Sequence, residues 1–181
     1  MEAIVTAVSR SAEHNFSKQN QPSITLIEGV GVEGDAHAGK TIKHLYLLKK
    51  DPSRPNLRQV HLIQTELFDE LLEKGFTVKA GELGENINTR GINLLGLPTG
   101  TRLSIGENVI IELTALRNPC VQIDTFQKGL LKAVIDRNED GKVIRKTGVM
   151  GVVIAGGKVV PEDSIRIELP AEPHQPLEYV W

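Results

Sequence analysis

The sequence predicts a mainly β protein of the α+β class, a barrel or sandwich carrying two or three peripheral helices. Three observations lead there. Short apolar segments separated by glycine follow one another at Ile87, Ile92 to Leu95, Thr101 to Ile105 and Asn108 to Leu113, the spacing of an all-β core. Ile165, Ile167 and Leu169 alternate with Arg166 and Glu168, as on a strand with one buried face. Clean helical spacing is confined to short stretches, of which Thr65 to Lys74 is the clearest.

Ala3 to Val8 reads as a first strand and Ile24 to Ile27 as a second, after a polar loop around Asn15 to Gln21, because both are rich in β-branched residues. Four glycines fall between Gly29 and Gly39, so this stretch is loop or strand edge, where the backbone turns or approaches something closely. Lys40 to Asn56 holds five lysines and arginines and two prolines with no period, and reads as a mobile excursion, either a lid over a pocket or a surface loop. Arg58 to Ile63 is a further strand. Thr65 then looks like a helix N-cap. Leu67, Phe68, Leu71 and Leu72 form one apolar stripe, and Gly75 ends the helix. Asp124 to Arg137 places Phe126, Leu130, Leu131 and Val134 at helical spacing, weakened by Gly129. Asn138 to Gly141 makes a turn, Gly148 to Ala155 a buried strand, and Gly156-Gly157 a tight turn into Lys158 to Val160. The last dozen residues, 170–181, hold three prolines and are ordered only by lying on the domain or on a partner.

The 181 residues suffice for one well-cored domain, spanning 1–181 with its core over about 5–169. With 40% apolar residues, 24% charged residues and a formal charge of −2, bulk electrostatics hold neither nucleic acid nor an anionic membrane. One cysteine makes no intrachain disulfide, the amino terminus shows no secretory signal, and no apolar run approaches the length of a membrane span. The expected location is the cytoplasm.

Cys120, in Leu-Arg-Asn-Pro-Cys, is the one sulfur nucleophile of the chain. Arg117 lies three residues upstream, a cation that favours a thiolate, and Pro119 places the cysteine on a turn. The competing reading is a small buried hydrophobe, a common fate of cysteine. In Gly34-Asp35-Ala36-His37-Ala38-Gly39 an acid and a histidine stand between glycines, so backbone amides and two side chains can converge on a polar group. It is no Walker loop, since Gly39-Lys40-Thr41 lacks the earlier glycine. His37 and His44 are seven residues apart without zinc-ligand spacing, and a lone strand histidine such as His61 is ordinarily structural. In Gly81-Glu82-Leu83-Gly84-Glu85-Asn86-Ile87, Asn86 can read a heterocycle edge or a phosphate, while Glu82 and Glu85 read as solvated carboxylates of a surface turn.

These two motifs, the first beginning at Val32-Glu33, together with Leu116 to Cys120 and Gly148-Val149-Met150-Gly151-Val152-Val153, closely resemble the MOSC domain family, named for the carboxy-terminal domain of molybdenum-cofactor sulfurases. The resemblance runs from about Val5 to Leu169, with the motifs in the family's order. It implies a β-rich fold around a MOSC-type barrel and a role in molybdenum-cofactor (molybdopterin) chemistry. By the same resemblance Cys120 is the family's cysteine, a molybdenum ligand in reductases of N-hydroxylated compounds and a persulfide carrier in sulfur-handling members. Arg117, Asn118 and Asn86 become cofactor-binding residues, Asp35 and His37 shape the pocket or shuttle a proton, and Gly34 and Gly84 keep the backbone close to the ligand.

The chain shows no aminotransferase-like domain and no lysine motif for pyridoxal phosphate, so a complete sulfurase is not expected. The amino-terminal extension and membrane anchor of the larger reductases are likewise not expected, and Ala-His stands where those carry an arginine-rich version of the Gly-Asp motif. Three readings follow. The first is a molybdenum-cofactor-dependent oxidoreductase acting on a small-molecule substrate, served by an electron-donor protein. The second is a sulfur carrier that passes sulfur between donor and acceptor proteins through a Cys120 persulfide. The third is a non-catalytic binding domain with Cys120 buried and inert.

Overall fold

The computed structural model describes residues 2–179. The amino-terminal half holds β1 (Ile4–Arg10), β2 (Gln19–Gln21), β3 (Ile24–Ile27), β4 (Gly31–Val32), the short helix α1 (Leu45–Leu48), β5 (Val60–Gln64), helix α2 (Glu66–Glu73) and β6 (Ile87–Arg90). After a 3-10 turn at Leu94–Gly96 come β7 (Arg102–Ile105), β8 (Val109–Leu116), helices α3 (Gln122–Phe126) and α4 (Leu130–Ala133), and β9 (Ile135–Arg137). The chain then forms β10 (Val143–Arg145), β11 (Val149–Ala155), β12 (Gly157–Val159) and β13 (Ile165–Glu168).

Eight strands form one sheet in the order β13-β7-β8-β11-β5-β6-β1-β2. All its pairs are antiparallel except β5 with β6. That pair is parallel because α2 carries the chain across between them, as parallel neighbours require. The inward residues Val109, Ile111, Leu113 and Ala115 of β8 alternate with half-buried ones, and with Val5, Leu62, Ile87, Leu103 and Val149 they make the main core. Ile63 points to the other face and seeds a second cluster with Leu67 and Leu71 of α2, Leu83, Ile123 and Leu130. β12, β3 and β4 form a separate small sheet.

The mainly β, α+β class holds, and the closed barrel is corrected. The sheet has free ends at β13 and β2. A single bridge, Ile4 with Ser164, brings the β13 end beside β1, supported by hydrogen bonds from Val5 N–H to the Asp163 carbonyl and from Ile165 N–H to the Ala3 carbonyl. No continuous ladder follows, because β1 already pairs with β6 on one side and with β2 along Val8–Arg10.

Other expectations are revised locally. Ile92 to Leu95 enters a 3-10 turn instead of a strand. The second helix is two: Gly129, at φ +89°, turns the chain between α3 and α4, and residues 135–137 become β9. Thr65 sits at the N-cap position of α2 without capping it, since its Oγ1 donates to the Thr89 carbonyl at 2.9 Å. The polar loop after β1 contains β2, and Gly156-Gly157 sends the chain to β3 in the small sheet. Ile167 and Leu169 stay 44% and 52% exposed because β13 is an edge. The excursion 40–56 folds back on itself, with a bridge between Thr41 and Pro55 and with Ile42 and Leu47 buried. The tail lies on the domain as expected: Leu177 is buried and Tyr179 bridges Leu116. Its last two residues, 180 and 181, lie outside the described residues. Among the described residues no helix is long and apolar enough to cross a membrane.

Gly148, which opens β11, adopts φ +84°, and a methyl carbon there would overlap the Leu62 carbonyl oxygen and stand 2.7 Å from Ile63 Cγ1. Gly148→Ala should therefore destabilise the fold by about 3 kcal/mol, combining backbone strain with overpacking. Urea unfolding checks this, and an unchanged midpoint would contradict it.

Candidate functional site

A cavity of about 300 Å³ opens where the loop after β1, the excursion, the start of β5, the approach to β6 and the loop after β8 meet. Its volume is at the lower end for small-ligand clefts. The residues that carry charge or chemistry there are Lys18, Arg58 and Arg117, the histidines His14, His37, His44 and His61, and Cys120. Among the described residues no carboxylate lines it. Four of the chain's five histidines therefore converge on one pocket.

The loop bearing Cys120 is held from behind. Arg117 N–H donates to the Gly148 carbonyl at 3.0 Å, and Thr147 Oγ1 donates to the Arg117 carbonyl at 2.9 Å. The Thr147 carbonyl accepts from His61 Nε2 at 2.7 Å, which assigns the ring proton to that nitrogen because a carbonyl only accepts. His61 thus ties β5 to the cysteine loop. Burial pushes its pKa well below 6.5, and the Arg117 charge adds to that effect, so the ring is neutral.

Cys120 is half-buried, its Sγ 3.5 Å from Gln122 Oε1. The fully buried cysteine is therefore not what the fold presents. Burial lowers the pKa of Arg117, opposed by attraction to Cys120 and Glu85. Burial and the Arg117 charge lower Arg58 to about 10, again opposed by Cys120. Arg117 Nη1 is shut off from solvent and has no hydrogen-bond partner among the described residues, and neither does His44 Nδ1. Leaving such donors unmade is costly. Burial, with repulsion from Arg58 and His37, pulls His44 down to about 4.

Asp35 lies just behind the wall, and its carboxylate gathers three segments. Lys18 Nζ stands 2.9 Å from Oδ2 and donates to Oδ1 at 3.1 Å. Ser11 N–H donates to Oδ2 at 3.2 Å, His37 N–H to Oδ1 at 3.0 Å, and Asn86 Nδ2 to Oδ2 at 3.1 Å. Burial opposes ionisation of Asp35, but the His37 hydrogen bond and the Lys18 charge prevail and hold its carboxyl well below the usual range. Lys18 is lowered by burial against the pull of Asp35. His37 Nδ1 lies 3.4 Å from Asp35 Oδ1, and its ring meets His14 edge-on with centroids 5.1 Å apart. Burial lowers the His37 pKa, partly countered by Asp35.

The structure brings Cys120, Arg117, Asn118, Gly84, Asn86 and His37 to one pocket, with Asp35 behind it. Gly34 does not line it; at φ +74° it turns the loop that delivers Asp35. Gly84, at φ +87°, packs so close to the loop after β1 that a Cβ there would lie 2.6 Å from the Phe16 carbonyl oxygen. The polar atoms of Asn86 are engaged in the framework: Nδ2 also donates to the Ser9 carbonyl at 3.1 Å, and Oδ1 accepts from His61 N–H at 3.2 Å. Glu85, read as solvated, is fully buried. It accepts from Gly81 N–H, Leu83 N–H and Asn88 Nδ2 at 2.6, 3.2 and 2.9 Å, and burial raises its pKa. Sequence reasoning missed Lys18, Arg58 and His14 and set His44 and His61 aside. Their positions in the sequence carry no shared motif, and only the surplus of histidine and arginine at one place in space marks them. Among the described residues no three His, Cys, Asp or Glu side chains converge to hold a bare metal ion.

Asp35→Asn leaves Lys18 buried without its counter-charge and should cost about 3 kcal/mol near neutral pH. A folded-state pKa below the ordinary 3.8 adds stability above that value and loses it as pH falls through the folded pKa. The difference between wild type and variant, read by urea unfolding, should therefore be full at pH 7 and shrink below about pH 4; a pH-independent difference would count against the pair. Cys120 should take one iodoacetamide adduct on the native chain, and a requirement for denaturant would contradict its half-buried placement.

The sequence model of the MOSC domain matches residues 34–166. No curated protein matches the chain. Among solved structures, YuaD from Bacillus subtilis superposes with a TM-score of 0.77 at 19% identity, over 94% of this chain and 98% of that one. YiiM from Escherichia coli gives 0.64 at 19% identity, over 97% and 73%, and YiiM from Geobacillus stearothermophilus 0.61 at 15%, over 97% and 78%. The structural likeness is one of fold. The family match takes in every pocket motif from Gly34 to Val153, and the chain belongs to the MOSC domain family.

Proposed function

We propose that this chain binds molybdenum cofactor in the pocket and reduces N-hydroxylated compounds, with Cys120 as the protein ligand to the metal. The observation that carries this reading is the pairing of a half-buried thiol with Arg117 Nη1, a buried donor with no partner among the described residues. The residues suit such a group. A soft sulfur matches molybdenum, and the guanidiniums of Arg58 and Arg117, in a lining without a carboxylate among the described residues, match a phosphate-bearing anion. Arg117 and Arg58 would hold the phosphate, and Asn118 and the Gly84 backbone would flank the pterin. When bound, the cofactor supplies two-electron removal of oxygen from the substrate. His37 would manage a proton: the Asp35 carboxylate only accepts, so Nδ1 carries the hydrogen toward it and Nε2 is left to take up and release one. The electrons come from a protein donor.

Molybdenum analysis of protein from a host that makes the cofactor should give about one metal per chain. Cys120→Ser should lose it while keeping the circular dichroism spectrum, because serine preserves size but not the soft donor. Metal retained in the variant would overturn the ligand assignment. Absent metal, with cyanide-releasable sulfur on Cys120, would favour sulfur transfer through a persulfide, to which the same half-buried thiol is suited.

A further inference from the structure

The excursion between β4 and β5 is the most asymmetrically charged part of the chain. Over residues 40–58 it carries Lys40, Lys43, Lys49, Lys50, Arg54 and Arg58 against the single acid Asp51, in a protein of net charge −2. Asp51 is already occupied, accepting from Ser53 N–H and Oγ at 3.0 and 2.6 Å. The segment is firmly built: Ile42 N–H donates to the Arg54 carbonyl at 2.9 Å, and Asn56 Nδ2 donates to the carbonyls of His37 and Gly39, each at 2.9 Å. Its inner side, through His44, Leu45 and Arg58, is a wall of the pocket.

Its outer side leaves apolar groups in water. Leu45 and Tyr46 are each 55% exposed, and Lys50 Nζ sits 4.7 Å from the Tyr46 ring centroid, holding that ring in place. Across the mouth, Val121 is 72% exposed between Cys120 and Gln122, both of which line the pocket. Exposed apolar and aromatic groups beside cations, as at Tyr46 and Lys50, are features of a transient protein interface.

We infer that this face is the landing site of an acidic electron-transfer protein, which docks on the excursion and delivers electrons through the wall it shares with the pocket. This rests on the reductase reading above and adds where the donor sits and what charge it bears. In the reaction served, two electrons from the reduced donor and two protons cleave the N–O bond of a hydroxylamine, giving an amine and water. A nucleic acid is disfavoured because one exposed aromatic ring offers no stacking platform.

The holoprotein is treated with a zero-length carbodiimide in the presence of a plant-type [2Fe–2S] ferredoxin or a flavodoxin, both acidic, and the cross-links are mapped. Adducts should fall on Lys40, Lys49 and Lys50. Their yield should drop about tenfold in the double variant Lys49→Glu, Lys50→Glu, and similarly in about 0.5 M salt. That variant should keep its molybdenum and its turnover with dithionite. Adducts confined to other lysines, no salt-sensitive adduct with either donor, an unaffected double variant, or displacement of the donor by an oligonucleotide would each overturn the inference. Wild-type protein without molybdenum would defeat the reductase reading instead, and the adduct map would still decide whether an acidic protein docks here.

Discussion

A buried carboxylate organises this molecule. Asp35 is 7% exposed, and an ion so placed persists only when charge and hydrogen bonds replace its lost hydration. The replacements come from Lys18 and Ser11 after β1, from His37 in its own loop and from Asn86 ahead of β6. Asn86 passes the constraint on, donating to the Ser9 carbonyl and accepting from His61 N–H on β5. Strand register, the glycine-rich loop and the pocket wall are thus fixed by one set of hydrogen bonds, whose members are costly to remove singly because each leaves another group unpaired.

The same pairing decides which charges the pocket keeps. Lys18 lines the pocket, but its ammonium is matched by Asp35. The other two cations of the lining are Arg58 and Arg117, whose pKa values are lowered by burial and partly restored by attraction to Cys120. Arg117 is held by its main chain, through the Gly148 carbonyl and Thr147 Oγ1, and Nη1 remains without a partner among the described residues. A buried donor left unpaired is costly, and it is the group that the proposed cofactor would satisfy.

What was legible in the sequence was local. The strand read at Asn108 to Leu113 forms as β8 and runs on to Leu116, and the helix read from Thr65 to Lys74 forms as α2. The lone cysteine, Arg117 and the Asp35–His37 pair were found from their motifs, and they meet in one pocket or directly behind it. Long-range terms were not legible. Thr65 spends its hydroxyl on Thr89, a partner from β6 that no local rule anticipates. Glu85 reads as a solvated acid until the fold buries it among donors from its own turn. The barrel expected from strand spacing stops at one bridge, because closure depends on which edges are already paired. His14, His44 and Arg58 belong to separate loops, and only the tertiary fold makes them neighbours.

Net charge proved the least local of these signals. A total of −2 argues against partners held by bulk electrostatics, yet at the Debye length of roughly 8 Å in physiological salt a protein is felt patch by patch. The carboxylates that lie nearest the pocket, Asp35 and Glu85, are buried and taken up by internal donors, whereas Lys49, Lys50 and Arg54 stand in solvent. Burying the acids and exposing the bases leaves a positive mouth on a chain that is negative in sum. The excursion is thus a wall on its inner side and a charged surface on its outer one, so whatever approaches the thiol, small anion or acidic protein, meets the same sign of field.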